Sequence, residues 1–216
     1  MRRALGYIAD GFLDALFPPD AVCFVCGMEA RLDEYPACPG CAAALRQAAK
    51  LAGARKLQGV TDVYAALAYN ETMRAVIHRL KYRGERWLAR PLAGLIRLPE
   101  GRVADVIVPV PLHEQRRRER GYNQSALIAR ALGARVALPV DEGALYRVRA
   151  TQSQSQLSKP LRAQNVLGAF AAQNVAGKTI LLVDDVITTG STLEACAGAL
   201  KGAYAKAVFA AGVCSA

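Results

Sequence analysis

Residues 179–192 read TILLVDDVITTGST, and the fold follows from how that stretch divides. Thr179, Ile180, Leu181, Leu182 and Val183 run without polar alternation. Such a run suits a strand buried on both faces, as in a parallel sheet flanked by helices. Asp184 and Asp185 follow, then Val186 and Ile187, then the small-residue turn Thr188-Thr189-Gly190-Ser191-Thr192, then a helix-like Leu193–Leu200. In an open α/β sheet, ligands gather outside the carboxyl ends of the strands. A glycine-containing turn feeding a helix N-terminus offers backbone N–H groups to a phosphate. Two adjacent carboxylates would repel that phosphate unless they face a diol or a metal ion. Phosphate on one side and a sugar diol on the other describe a ribose 5-phosphate. The competing reading is a plain strand–turn–helix with a Ser or Thr cap. Acids and turn in order after a buried strand argue for the ligand site instead.

The rest of the chain bounds what surrounds that site. Its 216 residues make one to two domains, and a net charge of +10 with pI near 9.6 points to anionic partners without separating phosphorylated small molecules from nucleic acid. A hydrophobic content of 53% excludes a disordered chain. No run approaches the roughly 20 apolar residues of a membrane helix. Met1–Phe17 carries Leu5, Ile8, Phe12 and Leu16 at helical spacing, with Asp10 and Asp14 interrupting any signal-like apolar core, so it reads as a soluble amphipathic helix ended by Pro18 and Pro19. With no export signal, the expected compartment is the cytoplasm.

Cys23-Phe-Val-Cys26 and Cys38-Pro-Gly-Cys41 are two C-x-x-C pairs separated by eleven residues. That spacing matches a tetrahedral four-thiolate zinc site, and disulfides would require an oxidising compartment. Gly27 and Gly40 are expected to allow the tight turns that aim backbone N–H groups at the sulfurs. Four cysteines leave no open coordination position, so the predicted Zn2+ is structural. The segment between the pairs, with Glu29, Arg31, Asp33 and Glu34, holds no basic cluster. A folding staple is therefore favoured over a nucleic-acid contact. Cys196 and Cys214 read as small buried hydrophobes.

Ala42–Ala54 is expected to be helical, Val60–Tyr69 to be one or two strands, and Glu71–Trp87 a helix closed by Lys81-Tyr82-Arg83-Gly84. Those cations are either a helix C-terminus complementing the dipole or a contact to a pyrophosphate or an anionic acceptor. Asp105–Val110 (DVIVPV) is a second buried strand, leading through Pro111 into HEQRRRERGYNQS. Most of Arg116, Arg117, Arg118 and Arg120 fit a solvated helix face. Arg120-Gly121-Tyr122-Asn123 is the better ligand candidate, since a glycine turn with a cation and an amide is unneeded on a plain helix. His113 and His78 carry no strong signal. Ser125–Leu132 is expected as a helix, Arg135–Val140 as a short strand, 147–165 as a long polar loop, Val166–Phe170 as an edge strand and Ala207–Val213 as a buried strand.

VDDVITTGST resembles the 5-phosphoribosyl 1-pyrophosphate (PRPP) signature of type I phosphoribosyltransferases. Together with CxxC–CxxC, KYRG, PVPLH, RGYNQS, RATQSQSQ and RAQNV, in that order, it resembles the ComF/GntX-like family from Leu16 to Val213. The resemblance implies an α/β fold of the type I phosphoribosyltransferase kind, with an N-terminal helix and zinc ribbon over 1–54. The main domain would be 55–216, with an acceptor-binding hood at about 60–100 and a flexible loop at 147–165. It implies that Asp184 and Asp185 hold the ribose hydroxyls, and that Val186, Thr188, Thr189, Gly190, Ser191 and Thr192 surround the 5′-phosphate. Pro111, Lys81, Arg83, Arg120, Tyr122 and Asn123 would line the pyrophosphate side, with Gln152, Arg162 and Asn165 reaching in from the loop. PRPP would arrive with Mg2+, and Asp184, Asp185 and Arg120 would carry the transfer to an acceptor that the sequence does not identify. The family is tied to competence and DNA utilisation, so single-stranded DNA and helicase or processing proteins of DNA uptake are implied partners. A PRPP sensor and a DNA-binding accessory are the alternatives to an enzyme, and a homo-oligomer is compatible with all three.

Overall fold

The computed structural model describes residues 22–30, 32, 36–52, 56–99, 104–148 and 168–216. Its centre is a four-stranded sheet of β1 (Asp62–Ala68), β2 (Val106–Pro109), β5 (Thr179–Ile187) and β6 (Ala207–Ser215), in the order β1-β6-β5-β2 and parallel throughout. A two-stranded antiparallel ribbon, β3 (Leu145–Arg147) with β4 (Phe170–Ala172), lies apart from it. The alternation of a strand explains both layers of core. Leu181 and Val183 join Ile107, Ala211 and Val213 against one set of helices. Ile180 and Leu182 join Val106, Val108, Val208 and Ala210 on the other side. A sheet covered on both faces needs apolar residues at every position, which is why 179–183 shows no polar alternation.

The helices on the first face are α1 (Pro39–Lys50), α2 (Glu71–Tyr82), α3 (Ala89–Leu95) and α5 (Gln124–Val136); α6 (Ser191–Gly202) and the β3–β4 ribbon cover the second. In α2 the Asn70 side chain accepts from the Met73 N–H at 3.0 Å, and Met73, Val76, Ile77 and Leu80 form its buried stripe. Gly84, with φ of 71°, ends the chain's helical course there. The helix therefore stops at Tyr82, short of the expected Trp87, and a single 3-10 turn, Arg86–Leu88, follows before α3. Helix α4 (Glu114–Arg120) buries none of its residues.

Several boundaries differ from the sequence reading. Val60–Tyr69 holds one strand, β1, which is the edge of the central sheet. Arg135–Val140 is not a strand: α5 continues through Val136 and ends on Ala137 at φ 55°, leaving Val140 a single bridge to Ile107. Gly133 lies against Val140 and Leu138 so closely that a Cβ would sit 2.7 Å from Val140 Cγ2. The returning chain therefore packs on its own helix rather than extending the sheet. The edge strand β4 runs over Phe170–Ala172 rather than 166–170, and the 166–167 part lies outside the described residues. Most of 147–165 and all of 1–17 also lie outside them. Among the described residues no helix is long and apolar enough to cross a membrane.

Candidate functional site

Strand β5 extends through Ile187, so Asp184 and Asp185 lie within the strand, toward its carboxyl end as expected. Successive strand side chains point to opposite faces, and the two acids meet different partners. Asp184 accepts a hydrogen bond from Ser125 Oγ at 2.9 Å, from the first turn of α5. Asp185 is buried and forms an ion pair with Lys81 on α2, Nζ to Oδ2 at 2.5 Å. Burial and the neighbouring Asp185 charge push the Asp184 carboxyl up to about 7, against the opposing pull of Lys81, Ser125 Oγ and the Asp185 N–H. For Lys81, burial works to discharge the amine. The Asp185 carboxylate, its hydrogen bond and the Asp184 charge outweigh that, and hold the ammonium above its ordinary value. Lys81, more than a hundred positions away in sequence, thus shares one electrostatic network with the adjacent acids, Asp185 buried and Asp184 half-buried.

The turn after β5 is shaped by Gly190, whose φ of 86° lies in the left-handed region. A Cβ there would lie 2.2 Å from Leu57 Cδ2, so the segment before β1 fills the space a side chain would need. The Gly190 carbonyl accepts from the Glu194 N–H, and the Glu194 carboxylate accepts from the Gln58 N–H at 3.0 Å, pinning that segment over the turn. Thr189 Oγ1 and Ser191 Oγ lie 3.0 Å apart. Helix α6 starts on this turn with Gly190 as its N-cap, which offers no side chain, and the Ser191 N–H donates to Thr189 Oγ1 at 3.4 Å. A turn of small residues feeding a helix N-terminus has backbone geometry of the kind that suits an anion.

The KYRG and RGYNQS stretches come together as one assembly. The Arg120 guanidinium lies 4.6 Å over the Tyr82 ring, donates to the Tyr82 hydroxyl at 3.0 Å and donates to Gln124 Oε1 at 3.0 Å. Tyr122 donates its hydroxyl to the Leu80 carbonyl, and Arg86 stacks 4.5 Å over the Tyr122 ring. Asn123 caps α5 by accepting from the Ser125 N–H, while its amide donates to the Val110 carbonyl at 2.9 Å. That bond ties the cap to the carboxyl end of β2, where Pro111 follows. His113 caps α4 through Nδ1. On α4 the exposed Arg118 pairs with Glu114 at 2.6 Å, an ordinary solvated contact.

At the other end of the described chain, the ligand atoms of Cys23, Cys26, Cys38 and Cys41 all lie within 4.8 Å of one another. The Cys26 and Cys38 sulfurs are 3.9 Å apart. That is far beyond a disulfide bond of about 2.05 Å, and close to the edge of about 3.8 Å expected for a tetrahedron with metal–sulfur bonds of about 2.3 Å. The four cysteines can hold a metal ion such as zinc. Gly27, at φ 76°, makes the expected turn. Gly40 does not: it lies in the first turn of α1, and the helix N-terminus with Cys38 as N-cap takes that role. Burial would raise the Cys23 thiol, but the N–H groups of Cys26, Cys38 and Val25, with the Cys26 side chain, bring it down to about 7. Burial and the neighbouring sulfurs push Cys41 the other way, so in the absence of an ion one thiol of the cluster is the readiest to ionise. Burial, followed by the Asp185 charge, pushes Cys214 up to about 12, as befits an inert buried residue.

Comparison with known proteins agrees with this arrangement. The phosphoribosyl transferase domain family matches residues 119–216. Competence protein F of Haemophilus influenzae is 31% identical over 182 residues, covering 78% of this chain and 80% of that protein. DNA utilization protein YhgH of Escherichia coli K12 is 33% identical over 184 residues, covering 80% of each. The chain belongs to the ComF family of phosphoribosyltransferase-like proteins. Among solved structures, glutamine PRPP amidotransferase from B. subtilis, complexed with ADP and GMP, aligns with 59% of this ComF-family chain and 25% of its own, at 26% identity and TM-score 0.38.

The ComF-family motifs converge unevenly. Lys81 pairs with Asp185 and Ser125 with Asp184, and the Thr188–Thr192 turn lies on the same strand's exit. Arg120, Tyr122 and Asn123 stand beside them, but their polar groups are engaged with Tyr82, Gln124, Leu80, Val110 and the α5 N-terminus. Arg83 is the C-cap of α2. Gln152, Arg162 and Asn165 lie outside the described residues. Two participants escaped the sequence reading. Ser125 sits in the quoted RGYNQS string, yet nothing local announces a bond to a carboxylate 59 positions away. Arg147 stacks 4.8 Å over Phe170, and burial lowers the pKa of its guanidinium while the Asp184 charge pulls the other way; its only sequence signal was its place at the edge of the polar loop.

Proposed function

We propose that this chain binds PRPP and transfers its phosphoribosyl group to an acceptor with release of pyrophosphate, in service of DNA uptake or utilisation. The observation that carries the reading is the junction of β5 and α6, where an acid pair, Asp185 buried and Asp184 half-buried, and a glycine-shaped helix start lie seven residues apart or less. The turn N–H groups take the 5′-phosphate, and the acids take the 2′- and 3′-hydroxyls as acceptors. The names of the relatives, a competence protein and DNA utilization proteins, supply the physiological setting. In the reaction, an acceptor nucleophile forms a bond to C1 of the ribose as the C1–oxygen bond to pyrophosphate breaks. The nucleophile's proton goes to solvent or to a carboxylate. The leaving group carries off the electron pair.

The chain's own contribution is positioning and charge compensation, which together supply much of the rate in such transfers. Asp184 and Asp185 orient the diol, and Arg120 and Lys81 are the cations we assign to balancing the developing negative charge. Carboxylate oxygens are hard donors that suit Mg2+. Since Lys81 already occupies Asp185, the ion fits best as one brought in on the pyrophosphate, and when bound it neutralises the leaving group. The four cysteines hold a structural Zn2+ and take no part in the chemistry.

Calorimetric titration of PRPP with Mg2+ into zinc-loaded protein, beside Asp185→Asn, tests this. Binding by the wild type that the variant loses by tenfold or more supports the site. Equal binding by both overturns it. Binding without pyrophosphate release against any nucleophile would make the chain a PRPP sensor.

A further inference from the structure

Helix α2 faces two ways. Toward its knuckle side, Arg79 Nη1 donates to the carbonyls of Phe24 and Val25 at 3.0 and 2.8 Å. These two residues are the entire spacer between Cys23 and Cys26. The rest of the same guanidinium is locked by Glu85, with Nε to both carboxylate oxygens at 3.0 Å and Nη2 to Oε2 at 2.6 Å. Its plane also lies 5.9 Å from the Trp87 ring. Arg79 and Glu85 are both largely removed from solvent, with side chains 16% and 26% exposed. Two residues on, about 200° around the helix, Lys81 makes its 2.5 Å ion pair with Asp185.

No cysteine ligand touches the sheet acids in this arrangement. The route between them is a single helix held at each side by a charged group. We propose that Arg79 is a positioning residue that couples the four-cysteine knuckle to the Lys81–Asp185 pair. The knuckle closes into a fixed loop only when its thiolates are gathered on a metal. The two spacer carbonyls then stand where a fork of N–H donors can hold both. With Arg79 seated, α2 sits at the height and rotation that bring Lys81 Nζ onto Asp185. With the knuckle open, Arg79 loses two acceptors, and the rotation of α2 that delivers Lys81 is no longer fixed from that side. The consequence for ligand binding rests on the PRPP reading above: an open knuckle leaves a diol-binding acid without its cation. Coupling between sites is reciprocal, so a ligand that engages the acids in turn holds the metal more firmly.

The test reads Lys81 directly and needs no ligand. Zinc-loaded wild type, zinc-stripped wild type and zinc-loaded Arg79→Gln are exposed briefly to an amine-acylating ester, and modification at each lysine is quantified by mass spectrometry. A paired ammonium acylates slowly. The expected result is Lys81 modification about tenfold faster in Arg79→Gln and in the stripped protein, within the usual span of site coupling. Lys178 and Lys201, which donate to the Asn174 and Lys206 carbonyls away from α2, should keep their rates and so report an intact sheet. Lys81 modified at one rate in all three samples would overturn the proposal. A second arm follows zinc release to a chromophoric chelator with and without PRPP and Mg2+. Slowing of release in the wild type that vanishes in Arg79→Gln supports the coupling; slowing that persists in the variant contradicts it. Should the wild type bind no PRPP, the ribose reading falls, while the Lys81 rates still decide the role of Arg79.

Discussion

The cysteine knuckle and the acid pair are both polar sites set against apolar surroundings, yet they are assembled in opposite ways. All four knuckle ligands come from 19 consecutive positions, Cys23 to Cys41, and the donors that tune Cys23 are N–H groups within the same segment. The acid pair borrows its partners from α2 and α5, 104 and 59 positions away. A locally built site depends mainly on the ion that closes it. One assembled from remote elements depends on the whole sheet and on every helix that delivers a partner. That difference sets the order of effects expected when each is disturbed.

Removing the metal from the knuckle should have the largest effect, because binding energy at a structural site is folding energy, on the order of 10 kcal/mol. Chelation, or Cys38→Ser, is expected to unfold the 22–52 segment. Proteolysis should then cut there while the β-sheet core stays protected; an uncut segment after complete zinc loss would break the comparison. Next comes Gly190→Ala at the phosphate turn. A Cβ 2.2 Å from Leu57 and a left-handed φ of 86° combine steric and backbone strain, costing about 3 kcal/mol. Chemical denaturation should register that loss, and a variant as stable as the wild type would contradict the close approach.

A smaller effect concerns pH. Asp184 titrates at about 7 in the folded chain, against an ordinary 3.8. Because its folded value is raised, the group costs nothing below about pH 4. Its penalty grows as pH rises toward 7 and is constant above. Between pH 5 and 7 the wild type is expected to lose on the order of 2 kcal/mol relative to Asp184→Asn. Parallel urea midpoints across that range would show instead that the carboxyl is ionised throughout.

The same contrast explains what was legible in the sequence. The C-x-x-C spacing and the VDDVITTGST string each state their chemistry within a few residues, and the unbroken apolar run at 179–183 implied a doubly covered sheet. Asn123 was legible as important but not in its role, since an amide that caps α5 and bonds the Val110 carbonyl looks, in sequence, like an amide awaiting a ligand. The strand expected at Arg135–Val140 failed because α5 runs on through Gly133–Val136 against weak local helix propensity, and the deciding fact, the tight return of Val140 onto Gly133, is tertiary. Lys81 and Arg79 sit in one helix with the same chemistry. Only the fold reveals that one serves the acids and the other the knuckle.

The central claim is that the acids recognise a sugar diol beside a phosphate cradle. Titrating zinc-loaded protein with ribose 5-phosphate and with 2-deoxyribose 5-phosphate tests it most directly. The two ligands share the phosphate and differ by a single hydroxyl. A hydrogen bond to a charged group contributes about 1.5–3 kcal/mol, so the deoxy ligand is expected to bind at least tenfold more weakly, and the gap should close in Asp185→Asn. Equal affinity for both in the wild type would show that the turn binds phosphate alone and that the acids serve only the internal ion pair.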